Sequence, residues 1–150
     1  MNRLTNSRCS EVFRYFEDIS AIPRCSGSEK QISDYLVEFA KKHELEVIQD
    51  EALNVIIKKP AAPGYEKVPT VILQGHMDMV CEKNKETEHD FEKDPIKLRI
   101  VDDMIYASDT TLGADNGIAL AYVLSILSSK DIPHPAIEAV FTADEENTMS

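Results

Sequence analysis

The sequence predicts an α/β fold. Three segments repeat apolar residues at helical spacing, and short apolar runs rich in Val and Ile fall between them. Clusters of His, Asp and Glu stand where these elements begin or end. Ligand sites in open α/β sheets gather at the C-terminal ends of strands, so the clusters mark where chemistry is to be sought.

The first helix is expected over residues 7–22, where Val12, Phe13, Phe16, Ile19 and Ile22 share a face and Pro23 ends the run. A second begins near Ser26 or Ser28, both good N-caps. It sets Ile32, Tyr35, Leu36 and Phe39 on one side and closes on Lys41 and Lys42, cations that suit a helix C-terminus. From Leu45 the period changes, and residues 46–48 and 54–57 read as strands. Pro60-Ala61-Ala62-Pro63-Gly64 is a loop. Residues 68–73 form an apolar, β-branched run, read as a buried strand that delivers the chain to Gly75-His76-Met77-Asp78. Dense charge marks residues 81–94 as a surface loop. Residues 98–101 and 104–107 flank Asp102-Asp103 as a hairpin. Residues 113–128 form an apolar helix with Ile118, Leu120, Ala121, Leu124 and Leu127. Residues 136–142 are a last buried strand, running into Ala143-Asp144-Glu145-Glu146. There is no internal repeat and no low-complexity segment.

The 150 residues suit one domain, and 43% hydrophobic content is enough for a core. No run of 18 apolar residues is present, so no membrane span is expected. Residues 1–6 lack the apolar core of a signal peptide, which makes a cytoplasmic location the default. Cys9, Cys25 and Cys81 are odd in number and scattered, with no C-x-x-C pair; reduced cysteines are expected rather than a disulfide framework or a thiolate zinc site. The net charge of −11 argues against a nucleic-acid partner, since phosphate binding needs clustered Lys and Arg.

Three clusters carry possible chemistry. In His76-x-Asp78 the imidazole is a good zinc ligand, and residues two apart on a strand face the same side, so Asp78 can serve His76. The plainer reading is a satisfied histidine at a strand end. In Gly113-Ala114-Asp115-Asn116-Gly117 two glycines bracket an acid at a helix start; an N-cap role and a metal role are both open, and they are compatible. In Asp144-Glu145-Glu146 three acids follow an apolar strand. They are either a solvated loop or a pair of glutamates with divided labour, one a metal ligand and one a general base. Taken together the clusters supply N and O ligands without thiolate, a set suited to Zn²⁺, Mn²⁺ or Co²⁺. His43, His89 and His134 read as surface residues.

Gly75-His76-Met77-Asp78-Met79-Val80, Gly113-Ala114-Asp115-Asn116-Gly117 and Thr142-Ala143-Asp144-Glu145-Glu146 resemble the co-catalytic zinc exopeptidases related to carboxypeptidase G and carnosinase. Cys81-Glu82-Lys83-Asn84, Phe91-Glu92-Lys93-Asp94-Pro95-Ile96 and Thr110-Thr111-Leu112-Gly113-Ala114-Asp115 look like the bacterial aminoacyl-histidine dipeptidases of that family. The similarity runs over nearly the whole chain. It implies a zinc-exopeptidase-like catalytic domain of three αβα layers with a mixed sheet, incomplete on its C-terminal side. Residues 1–150 would be the N-terminal portion, without the lid and dimerisation domain.

The resemblance also implies roles: His76 on the first metal, Asp78 orienting His76, Asp115 bridging two metals, Glu145 as general base and Glu146 on the second metal. It implies a cis peptide after Asp115. Two further ligands of the family, an Asp soon after the paired glutamates and a His near the C-terminus, have no counterpart before Ser150. Each metal would then keep two protein ligands, where catalytic zinc normally has three, and this chain alone is expected to be inactive. Thr148 stands before Met149 where family members usually have Gly. The implied activity is metal-dependent hydrolysis of dipeptides ending in histidine, β-alanyl-histidine included, with a small peptide as partner and a homodimer as a possible full-length form. The alternatives are another exopeptidase or an acyl-amino-acid hydrolase of the same superfamily, or a non-catalytic metal- or partner-binding remnant. A nucleotide-binding domain is disfavoured, because no G-x-G-x-x-G or G-x-x-x-x-G-K motif occurs.

Overall fold

A computed structural model describes residues 9–148. Helix α1 (Ser10–Ser20) is followed by α2 (Lys30–Lys42), β1 (Glu46–Gln49), β2 (Val55–Lys59) and β3 (Val71–His76). Then come β4 (Leu98–Val101), β5 (Met104–Ala107), α3 (Ala114–Ser128), β6 (Ile137–Thr142) and the short α4 (Glu145–Thr148). Residues 7 and 8 of the expected first helix, and Met149, lie outside the described residues.

The main sheet has the order β1-β2-β6-β3. β1–β2 and β2–β6 pair antiparallel and β6–β3 parallel, so the sheet is mixed. Parallel neighbours require a crossover, and here it contains the charged loop, the β4–β5 hairpin and α3. Along β6, Ile137, Ala139 and Phe141 are buried and alternate with half-exposed residues. That buried face joins Ile57 and Val55 of β2, Ile32 and Leu36 of α2, Phe16 and Ile19 of α1, and Leu120 and Leu124 of α3 in one core. The parallel register sets His76 opposite Thr142, so the ends of β3 and β6 come out side by side. This brings the histidine cluster to the acidic cluster.

Four expectations are corrected. Neither Ser26 nor Ser28 caps α2; Glu29 holds the N-cap position, because the Ser26 hydroxyl is drawn instead to the Asp78 carboxylate at 2.6 Å. The strand expected at residues 68–73 starts at Val71 and lies at the sheet edge, leaving Ile72 65% exposed. His134 is buried rather than on the surface, since its segment packs beside residue 62, whose N–H it accepts. Cys25 and Cys81 form a disulfide, with their Cα atoms 5.6 Å apart. The cause is a bridge between Cys25 and Met79, which lays residues 24–26 beside the end of β3 and brings together two cysteines 56 positions apart. Cys9 is exposed and outside the bridge.

Candidate metal centre

β3 ends in His76, whose ring is nearly buried. Its Nδ1 lies 3.0 Å from the Asp78 carbonyl oxygen and 3.3 Å from Asp78 Oδ1. Donation of Nδ1–H to these acceptors turns Nε2 toward the acidic groups, where a bound metal would take the place of its proton. Nε2 lies 2.9 Å from Asp115 Oδ1 and 3.8 Å from Glu145 Oε2. Burial pulls the His76 pKa down, but the hydrogen bond to Asp115 and the charges of Asp78 and Glu145 outweigh it, leaving the ring above its ordinary value.

Asp115 stands at the start of α3, where Gly113 adopts a left-handed conformation (φ 74°) and Asp115 and Asn116 are non-helical. The Asp115–Asn116 peptide is cis, as the resemblance implies. The Asp115 side chain is 83% exposed, so its carboxylate is accessible from solvent. Glu145 and Glu146 form the first turn of α4. One ligand atom from each of His76, Asp115 and Glu146 falls within a 4.8 Å group. An imidazole nitrogen with carboxylate oxygens from separate elements is a donor set that fits a divalent transition metal.

Asp78 is fully buried and does more than face His76. Its carboxylate accepts from the Ser26 hydroxyl and from the N–H groups of Glu145 and Glu146, both at 3.1 Å. Burial raises its pKa, but these three donors outweigh burial and hold the carboxyl below the usual value. Asp78 thus stays ionised and ties the histidine loop to the glutamate turn. A second group of carboxylates, Glu29, Asp78 and Asp144, also converges within 4.8 Å. Glu29 Oε1 and both Asp78 oxygens there already accept hydrogen bonds, which argues against that group as a metal site.

All five residues singled out by sequence come together here. Arg24, Ser26, Glu29 and Asn54 belong to the same neighbourhood; Ser26 was expected only as a helix cap, and the other three had no local motif to mark them. His43, His89 and His134 lie elsewhere. His43 packs edge-on against Phe39, and burial, then nearby lysines, pull its pKa down. A largely apolar cavity of about 700 Å³ between α1, the hairpin and the start of α3 is lined by Phe13, Phe16, Leu112 and Ile118, but by none of the five site residues.

Residues 72–150, more than half of the chain, match the model of Peptidase family M20/M25/M40. The chain belongs to this family. Cytosol non-specific dipeptidase of Escherichia coli (strain K12) is 40% identical to this M20 chain over 149 residues, which are 99% of the chain and 31% of that protein. The crystal structure of aminoacylhistidine dipeptidase from Vibrio alginolyticus superposes with a TM-score of 0.93 at 42% identity, covering 97% of this chain and 30% of that one. A tripeptidase from Staphylococcus aureus gives a TM-score of 0.74 at 28% identity, over 91% of this chain and 36% of that one. The M20 chain therefore spans about a third of the length of these relatives. No helix among the described residues is long and apolar enough to cross a membrane.

Proposed function

We propose that this chain forms the N-terminal portion of the catalytic domain of a two-metal dipeptidase, and that the whole protein hydrolyses dipeptides with C-terminal histidine, β-alanyl-histidine among them. The observation that carries the reading is the convergence of His76, Asp115 and Glu146 within 4.8 Å, with the Glu145 carboxylate 3.8 Å from His76 Nε2. Zn²⁺, or Mn²⁺ or Co²⁺, held by these ligands would polarise the scissile carbonyl and make a water nucleophilic at neutral pH.

The chain's own residues divide the remaining work. His76 offers Nε2 because Asp78 fixes the other ring nitrogen. Asp115, accessible at the start of α3, would serve both cations. Glu146 would hold the second. Glu145 takes the proton from the attacking water and later returns it to the leaving amine. Histidine at the substrate's C-terminus is favoured by the likeness to the Vibrio alginolyticus enzyme. A broader dipeptidase is the second reading, favoured by the likeness to the non-specific dipeptidase of Escherichia coli. A small peptide is the partner in either case, the setting is the cytosol, and a homodimer is the proposed full-length form.

The test is histidine release from β-alanyl-histidine by the full-length protein, with added Zn²⁺ or Mn²⁺ and a chelator control. Glu145→Gln is expected to lower kcat by about 10²–10⁴ while metal is still bound. Unchanged turnover in that variant would refute the assignment of the base. Release from leucyl-glycine as fast as from β-alanyl-histidine would select the broader reading. The 150-residue chain alone is expected to release none.

A further inference from the structure

The turn that presents Glu145 and Glu146 is held by side chains from three other parts of the chain. Ala143 N–H donates to Asn54 Oδ1 at 2.8 Å, and Asp144 N–H to Glu29 Oε1 at 2.9 Å. Glu145 N–H donates to Asp78 Oδ1 and Glu146 N–H to Asp78 Oδ2, each at 3.1 Å. Four consecutive amides are thus each taken by a side-chain oxygen, across 89, 115, 67 and 68 positions of sequence. Asp144 sits at a left-handed φ of 56°, a conformation a non-glycine residue keeps only when its surroundings hold it.

Glu29 is the least expected member. It is 4% exposed and stands at the N-cap position of α2, yet makes no cap bond there. Burying a carboxylate is costly unless its oxygens are satisfied. Oε1 is satisfied twice, by Gly27 N–H and by Asp144 N–H, both at 2.9 Å. The same atom therefore fixes the entry to α2 and the turn before the paired glutamates. We infer that Glu29, supported by Asn54, is a positioning residue for the Glu145–Glu146 turn, acting through an acceptor oxygen and not through its charge. The inference rests on the proposed role of that turn.

The chemistry supplies a sharp test. A glutamine carbonyl has two lone pairs and can accept both amides that Oε1 now accepts, whereas alanine accepts neither. In the metal-free full-length protein, hydrogen exchange at the amides of residues 143–146 is expected to be slow in wild type and Glu29→Gln. It is expected to be about tenfold or more faster in Glu29→Ala. In the metal-loaded protein, Glu29→Ala is expected to lose about 10²-fold in kcat with little change in KM, and Glu29→Gln to regain most of it. Asn54→Leu, which removes the oxygen that Ala143 N–H reaches, should behave as Glu29→Ala. If Glu29→Ala does not fold, Glu29→Gln and Asn54→Leu decide alone.

Glu29→Gln as impaired as Glu29→Ala would overturn the inference, because charge rather than an acceptor oxygen would then matter. Unaltered exchange in both Glu29→Ala and Asn54→Leu would overturn it as well. Exchange as expected, with a Glu145→Gln variant fully active, would instead remove the catalytic reading and leave the positioning of the turn intact.

Discussion

Arg24 shows how one side chain sets two neighbouring residue identities. It is 1% exposed and donates to the carbonyl oxygens of Met77 at 3.0 Å, Asp78 at 3.4 Å and Gly113 at 2.5 Å. Burial lowers its pKa to about 10, the charge of Asp78 partly offsets that, and the guanidinium remains charged at neutral pH. It thereby binds the loop carrying His76 and Asp78 to the loop carrying Asp115. A Cβ at Gly113 or Gly117 would lie 2.6 or 2.7 Å from Arg24 Nη2. Alanine in place of glycine inside a helix ordinarily gains up to about 1 kcal/mol. Here Gly117→Ala is expected to lose about 1–3 kcal/mol through overpacking against Arg24 and Phe16. The effect is expected to shrink in an Arg24→Met background, as read from urea denaturation midpoints of both single variants and the double. His76, Asp78, Asp115, Glu145 and Glu146 were legible because each lies in a short motif at an element's end. Arg24, Glu29 and Asn54 were not, and Ser26 was read only as a helix cap, since their partners at the site lie dozens of residues away.

At the scale of elements, periodicity placed the hairpin at Leu98–Val101 and Met104–Ala107 and the apolar helix that became α3. It failed at the start of α2, where a local capping rule lost to a tertiary contact, Ser26 with Asp78. The far end of α3 shows a similar tie. Lys59, the last residue of β2, donates from Nζ to the carbonyls of Ile126 at 3.0 Å and Ser129 at 2.6 Å. A cation there adds a donor to the Ile126 carbonyl, which also accepts the Ser129 N–H at 3.3 Å, and complements the helix dipole. Lys59→Met is expected to cost about 1–2 kcal/mol, with Lys59→Arg retaining part of it, as measured by thermal unfolding. Equal stability of all three proteins would show that water replaces the cap at no cost.

For the whole molecule, the sheet has an open side. Among the described residues, β3 pairs only with β6, and Val71 and Ile72 on it are 42% and 65% exposed. Such an edge is a template for pairing with another strand. The 150-residue chain is expected to associate as concentration rises, and Ile72→Lys to shift it toward monomer in sedimentation velocity. A clean monomer with cooperative unfolding at all concentrations would count against this. The apolar run at residues 68–73 announced a strand, but composition alone cannot tell a central strand from an edge awaiting a neighbour. The mixed sheet followed from the family pattern. The Cys25–Cys81 bridge did not, because it depends on residues 24–26 lying against Met79.

The hold on residues 143–146 has a consequence for the order of events as the chain folds. Its anchors come from the segment before β2, the entry of α2 and the end of β3, so none of the four bonds exists until those parts have met β6. Contacts this distant in sequence form late, because loop closure must precede them. Under the proposed function, a nascent or partly unfolded chain would own the acids of a peptidase without an aimed base. Hydrolytic power toward dipeptides would arrive only with the finished architecture.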